Sequence, residues 1–479
     1  MAALRPRLSP VAWVTVEKVT QQILWLILFA VLAPILGPKP YGLFSIVMVF
    51  VGICEFVLLE GAVEAMVTVE DLAPLHTTTA NLANGLIAVV LTAAILLLAP
   101  FMGPVFGDPE LKPLMWALAP LPLLSSLSAT PIAVLRRSLN YRSLAIRSIA
   151  GLLLGGTFGI VLAVAGYGVW ALAGQVLAQR AAEFLIVWIS APVRIGFQWS
   201  GAHFRDLGPV GMNVLGGRVM NAIGGQLPRV ILGYMLGPTD LGLFTLAVRF
   251  QEIIVQTAVQ PLSAVARIEL RAEKPGSAPF EQMFRVVAQN VSLLSFPVFV
   301  GAAAVTPEIF RVWLDQRWSA GVLPMQLILL SGVPLAIFYC IDAAFFAANL
   351  SNMFARAATV QAVTISATVL CSGGLGLDAT CAALAIRPWI LLPFFLAALR
   401  GSCHLTIWKA MRSPTICLIG AAAMGAVLNL PFLHPAWMHQ LPTLVLLVAL
   451  GSALYVTYLY CFLWTQFKAL LGGVFIDRV

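Results

Sequence analysis

The chain has 479 residues, 60% of them hydrophobic and only 10% charged, with a mean hydropathy of +0.95. A soluble domain carries about 25% charged residues, so a chain this long and this apolar is excluded from the soluble classes and must cross a membrane repeatedly. The net charge of +8 is accordingly read through topology and does not point to nucleic acid.

Taken in chain order, Arg5 and Arg7 precede the first apolar segment, but Glu17, Lys18, Gln21 and Gln22 interrupt it too early for a cleavable signal, so the first span is expected to stay. Hydropathy predicts fourteen spans, at 11–36, 41–67, 78–101, 112–134, 148–166, 168–190, 209–236, 241–266, 283–306, 322–348, 356–375, 378–399, 413–431 and 441–465. Short Gly/Pro turns join them, and no loop is long enough for a separate soluble domain. With the N-terminus inside, the cytoplasmic loops hold Arg136, Arg137, Arg142, Arg147, Arg194, Arg205, Arg267, Arg271, Lys274, Arg356, Arg400, Lys409 and Arg412. The outer loops hold only Lys39, Lys112, Arg311 and Arg317, so both termini are expected in the cytoplasm.

The first outer turn, Leu36-Gly-Pro-Lys-Pro-Tyr-Gly-Leu-Phe44, returns as Leu236-Gly-Pro-Thr-Asp-Leu-Gly-Leu-Phe244, 200 positions later. At the same offset Lys18 aligns with Arg218, Gln21 with Asn221, Leu32 with Leu232 and Glu60 with Gln260. Six spans separate the repeats, so the halves keep one orientation and are parallel repeats about an axis along the membrane normal. The expected architecture is all-α and polytopic: six-helix bundles at 1–200 and 201–400, with a cavity between them, and two extra helices and a cytoplasmic tail at 401–479. Within the turn itself, Gly-Pro is expected to stop one helix and Gly-Leu-Phe to start the next.

Polar residues inside spans are costly and normally face a cavity or a partner. Span 1 offers Lys18, Gln21, Gln22 and Trp25; Lys18 either faces the cavity or snorkels to the cytoplasmic interface. Span 2 carries Glu60 and Glu64 on one face, either sharing a proton or balancing cationic neighbours, while Glu55 points toward a neighbouring helix. Span 7 presents Arg218, Asn221, Gly225 and Arg229. In span 8, Thr245, Arg249, Glu252, Gln256, Gln260, Ser263 and Arg267 fall within an arc of about 80° on an ideal helix. That stripe lines water or forms a structural seam with an Arg249–Glu252 pair. Span 10 adds Asp342 beside Phe338, Phe345, Phe346 and Asn349. The aromatics beside Asp342 either stack on sugar rings or are ordinary helix packing.

No P-loop, zinc-binding H-E-x-x-H or Ser/His/Asp arrangement occurs, and no cofactor or metal is implied. The seven cysteines show no CxxC pairing and read as small buried hydrophobes.

Four stretches carry a resemblance: Leu36 to Phe44; Leu135-Arg-Arg-Ser-Leu-Asn-Tyr-Arg-Ser-Leu-Ala145; Gly166-Tyr-Gly-Val-Trp-Ala-Leu-Ala173; and Arg229 through Ala247. In order and spacing the chain resembles the multidrug/oligosaccharidyl-lipid/polysaccharide exporter superfamily, and within it the Wzx-type oligosaccharide flippases. It departs from them at Phe244, where the family often has Tyr. The resemblance implies a bacterial inner-membrane transporter, not an enzyme, flipping undecaprenyl-diphosphate-linked oligosaccharide between leaflets, with membrane lipids, a polysaccharide polymerase and a chain-length regulator as partners. A cation-coupled drug exporter of the same superfamily is the alternative, against which Lys18, Arg218, Arg229 and Arg249 weigh.

Overall fold

The structure, a computed structural model, describes residues 10–69, 73–191, 198–403, 405–430 and 441–471. All regular structure in them is helical. Among the described residues, thirteen helical segments are long and apolar enough to cross a membrane. The longest of these, Gly225–Arg271, belongs to a helix that starts at Gly201 and is interrupted at Gly237 (φ 84°, ψ 177°); its two arms count as two crossings, which gives the expected fourteen. The chain divides into two compact units, Met1–Gly242 and Leu243–Val479.

The first unit contains α1 (Pro10–Leu36), α2 (Pro38–Thr68), α3 (Pro74–Phe106), α4 (Leu111–Leu118), α5 (Leu121–Arg137), α6 (Tyr141–Val164), α7 (Val169–Ser190) and the first arm of α8 (Gly201–Ile254). α4 and α5 together make one crossing, Leu111–Arg137. α6 packs tightly on α7 because one of its faces has no side chains. A Cβ on Gly151 would meet Glu183 Cγ at 2.5 Å, one on Gly155 the Gln175 carbonyl at 2.5 Å, and one on Gly159 the Gln175 Cβ at 2.7 Å. Small residues spaced by four let transmembrane backbones approach. Here they also turn Gln175 and Glu183 of α7 into the interior, where both are buried. Gly155→Leu should therefore separate α6 from α7 and destabilise the unit by at least the ~1–3 kcal/mol of overpacking. Thermal unfolding in detergent checks this.

Apolar clusters close both ends of this unit. Leu32, Leu36, Ala163, Ala171 and Leu172 pack at one end. Val63, Met66, Ala129, Ile132, Leu135, Leu144 and Val187 pack at the other. There Arg137 Nη1 also donates to the carbonyls of Met66 (3.2 Å) and Val69, satisfying the end of α2.

The second unit holds the second arm of α8, α9 (Gln260–Arg271), α10 (Ala278–Trp313), α11 (Val322–Ala347), α12 (Ser351–Ser372), α13 (Leu377–Cys403), α14 (Ile407–Leu428) and α15 (Leu441–Leu471). Its core is aromatic: Phe280, Phe284, Phe299, Phe338 and Phe345 are fully buried, and Phe338 meets Phe395 edge to face at 4.9 Å. Between α8 and α9 the helix opens into a π turn at Val255–Val259. Pro261 explains it, because it has no N–H for the Thr257 carbonyl four residues back.

Two local expectations need correction. The repeated turn bends at Gly37 (φ 78°) and Gly237 (φ 84°), and α2 begins at once on Pro38 instead of at Tyr41. Proline is tolerated at the first helical position because its missing N–H has no intrahelical partner there. Gly42 and Gly242 serve a different purpose, close packing within the first unit. A Cβ on Gly42 would lie 1.6 Å from the Pro238 carbonyl oxygen, and one on Gly242 would lie 2.0 Å from that of Pro38.

Candidate functional site

Midway along α2, Glu55 is buried and reaches two neighbouring helices. Ser125 Oγ of α5 donates to Glu55 Oε1 at 2.5 Å, and Arg180 Nε of α7 lies 3.2 Å from the same oxygen. Arg180 Nη1 also donates to Glu183 Oε2 at 3.0 Å, one turn further along α7. Gln179 Nε2 donates to the other Glu183 oxygen at 2.9 Å. One guanidinium is thus clamped by two carboxylates, all on the interior faces of transmembrane helices. The glycine face of α6 makes this arrangement, because Glu183 fits only where Gly151 lacks a side chain.

Beside this cluster lies a cavity of about 390 Å³ lined by Ser45, Met48, Val49, Gly52, Glu55, Phe56, Ser125, Arg180, Gln226 and Arg229. Arg229 Nη1 donates to Gln226 Oε1 at 2.9 Å, so α8 contributes a second guanidinium to the wall. Two arginines, one carboxylate, two hydroxyls, an amide and a phenyl ring surround a space within the membrane-spanning region. Its wall carries two guanidiniums against one carboxylate. An anion entering it would meet the forked donors of Arg180 and Arg229, which match phosphate and carboxylate oxygens.

The second unit has its own polar line. Thr245, Arg249, Glu252 and Gln256 are half-buried along the second arm of α8 and into the π turn, with Arg249 Nη1 3.4 Å from Glu252 Oε2. Beyond the π turn the ideal-helix projection fails, since the extra residue rotates the rest of the helix by about a quarter turn. Gln260 and Arg267 are exposed while Ser263 is buried. Gln260 comes within hydrogen-bonding reach of Tyr339 on α11. Arg267 interacts electrostatically with Asp342 and lies 5.0 Å over the ring of Phe346. Cysteines placed at 245, 249, 252 and 256 in a cysteine-free background should react with a membrane-impermeant thiol reagent, and those at 246 and 254 should not. Equal labelling would end the argument for a wet face.

Of the residues singled out in the sequence, Arg229 lines the cavity of the first unit. On α1, Lys18 is exposed and Gln21, Gln22 and Trp25 are half-buried; none of the four is in that wall. Arg249, Gln256, Gln260, Glu252 and Asp342 belong to the second unit. The side chains of Glu60, Glu64, Arg218 and Asn221 lie outside the described residues. None of the seven cysteines is in a disulfide, and four of them are buried.

Sequence reasoning missed Ser125, Arg180 and Glu183, although Gln175, Gln179 and Glu183 recur at four-residue spacing in span 6, with Arg180 beside them. It also missed Gln251, which donates to Ser331 Oγ at 2.8 Å and pins α8 to α11. A further omission is Arg387 in mid-α13, which donates to Thr364 Oγ1 (3.0 Å) and the Gln361 carbonyl (3.1 Å) of α12.

Residues 31–323, more than half of the chain, match the family described as polysaccharide biosynthesis protein, and the chain belongs to that family. The succinoglycan biosynthesis transport protein ExoT of Rhizobium meliloti (strain 1021) is 24% identical over 315 residues, 64% of this chain and 63% of that protein. The lipopolysaccharide biosynthesis protein WzxC of Escherichia coli (strain K12) is 20% identical over 345 residues, 70% of this chain and 68% of that one. The chain thus spans somewhat under two thirds of the first relative's length. Among solved structures, the lipid II flippase MurJ in an inward closed conformation matches with a TM-score of 0.77 at 13% identity, over 94% of this chain and 98% of that one. An inward-facing multidrug resistance MATE family transporter of the MOP superfamily matches with a TM-score of 0.56 at 13% identity, over 88% and 99%. These likenesses establish the fold, that of a multi-pass membrane protein.

Proposed function

We propose that the chain flips a polyprenyl-diphosphate-linked oligosaccharide, undecaprenyl-linked in bacteria, from the cytoplasmic to the periplasmic leaflet for polysaccharide biosynthesis. The observation that carries this reading is the membrane-embedded cavity walled by Arg180, Arg229, Gln226, Ser45, Ser125 and Phe56 in a chain of a polysaccharide biosynthesis family. A diphosphate calls for guanidinium donors, the sugar for amides, hydroxyls and a ring, and the polyprenyl tail stays in lipid. The names of the matched relatives, a succinoglycan transport protein and a lipopolysaccharide biosynthesis protein, support the same cargo class.

In this reading the protein is a transporter and not an enzyme, and it works by alternating access between the bundles 1–200 and 201–400. Lys18, Gln21, Gln22, Trp25, Arg218, Asn221, Arg249, Gln256 and Gln260 extend the cargo path, and Glu60, Glu64, Glu252 and Asp342 are the candidates for ion coupling. The protein resides in the bacterial inner membrane with both termini cytoplasmic, beside a polymerase and a chain-length regulator.

Liposomes containing the purified protein and a fluorescent polyprenyl-diphosphate oligosaccharide test the proposal. Protein-dependent loss of the label to an impermeant external quencher is the expected result. No movement of the lipid, together with pH-gradient-driven flux of small organic cations in the same vesicles, would transfer the case to the drug-exporter reading that the MATE-like fold also permits.

A further inference from the structure

One cavity of the second unit lies apart from the cargo site. α13 ends on Arg400 and Cys403, and α14 begins with Ile407, Trp408 and Lys409. Between them a cavity of about 610 Å³ is lined by Arg400, Leu405, Thr406, Ile407, Trp408 and Met411. Its volume falls in the ~300–1,000 Å³ range of small-molecule sites. Arg400, Trp408, Lys409 and Arg412 are all exposed, and Trp408 is 85% accessible. Among the described residues, Arg400, Lys409 and Arg412 make no hydrogen bond or ion pair. The nearby acid, Glu281 of α10, accepts a 3.4 Å hydrogen bond from Thr406 Oγ1.

This end of the unit is the one that the Lys/Arg asymmetry assigns to the cytoplasm. Three unpaired cations and a bare tryptophan therefore stand at the level of the inner headgroups. Tryptophan is enriched at that depth, and the cytoplasmic leaflet carries the anionic lipids that attract basic groups by ~1 kcal/mol each. Thr406 offers a hydroxyl at the cavity, while Leu405, Ile407 and Met411 give it an apolar floor suited to the glycerol and first methylenes of a lipid. We infer that this cavity holds the headgroup of an anionic phospholipid of the surrounding bilayer, with Arg400 on its phosphate and Trp408 against its glycerol region. The inference does not depend on which cargo the protein moves.

The test uses the full-length protein in nanodiscs of phosphatidylcholine doped with phosphatidylglycerol, and counts the lipids retained after extraction by native mass spectrometry. Wild-type protein should retain phosphatidylglycerol in preference to phosphatidylcholine. The triple variant Arg400→Gln, Lys409→Gln, Arg412→Gln should lose about fivefold of that preference per charge removed. Arg271→Gln with Lys274→Gln removes exposed charge assigned to the same side but outside the cavity lining, and should change the preference little. Equal binding of both lipids by the wild type would overturn the inference, as would an equal loss per charge in the control pair. Retention of a polyprenyl diphosphate in place of phosphatidylglycerol would also overturn it, making the cavity a cargo-loading site. A thermal melt of each variant in the same nanodiscs confirms that the proteins compared are folded.

Discussion

Arg180→Ala should lower the stability of the protein by about 3 kcal/mol and abolish polysaccharide export. Removing one partner of a buried ion cluster typically costs ~3–5 kcal/mol, because the remaining charges are stranded. Here two carboxylates, Glu55 and Glu183, would face each other without the guanidinium that lies 3.2 Å and 3.0 Å from them. The lower end of the range applies because about a third of the Arg180 side chain (34%) opens to the cavity and keeps some hydration. Arg180→Lys should recover part of the stability but not the bidentate geometry, since an ammonium is a point donor. The variant that separates structure from function replaces the whole cluster, Arg180→Met with Glu55→Leu and Glu183→Leu. Apolar replacement of a buried ionic cluster is often neutral or stabilising. If the cluster only fastens α2 to α7, the triple variant restores both melting temperature and export. If Arg180 receives the anionic end of the cargo, melting recovers while export stays lost. Thermal unfolding in detergent, beside complementation of an export-deficient strain, reads both.

The logic of that cluster also marks how much is legible in the sequence. Apolar runs and Gly/Pro turns determine span number almost alone, because they are local in the chain. The site is not local. Glu55 reads correctly as aimed at a neighbouring helix, yet its partners lie 70 and 125 positions away on α5 and α7, which no spacing rule links to it. The key to their meeting is three glycines on α6, whose missing side chains admit Glu183 and Gln175. The stripe of span 8 shows the opposite failure. Its periodicity is real as far as Gln256, and then one proline opens a π turn that an ideal-helix projection cannot contain. Arg229 is legible because an arginine in an apolar span has few other uses.

The repeated turn yields the second large effect. Gly42→Ala would set a Cβ 1.6 Å from the Pro238 carbonyl oxygen, and Gly242→Ala one 2.0 Å from the Pro38 carbonyl oxygen. In both cases the obstacle is backbone, so no rotamer change relieves it, and each substitution should cost at least the ~1–3 kcal/mol of overpacking and impair export. The two contacts are reciprocal: the first turn of α2 presses on the segment after Gly237, and that segment presses back. A methyl on either side must push the same pair of backbones apart, and the gap so opened admits the other methyl. The double variant Gly42→Ala, Gly242→Ala should therefore be less destabilised than the sum of the singles, with a coupling within the ~0.5–3 kcal/mol seen for residues in contact. Gly237→Ala is a control with a different cause. A Cβ there meets nothing within 4 Å, but φ 84° with ψ 177° is a region open almost only to glycine, at a cost of ~1–3 kcal/mol. That cost is intrinsic to one residue, so it should add to Gly42→Ala far more nearly than Gly242→Ala does. Strict additivity of the Gly42 and Gly242 substitutions in a thermal or denaturant melt would mean that the two turns do not share one contact, and that the sequence repeat at this point records ancestry alone.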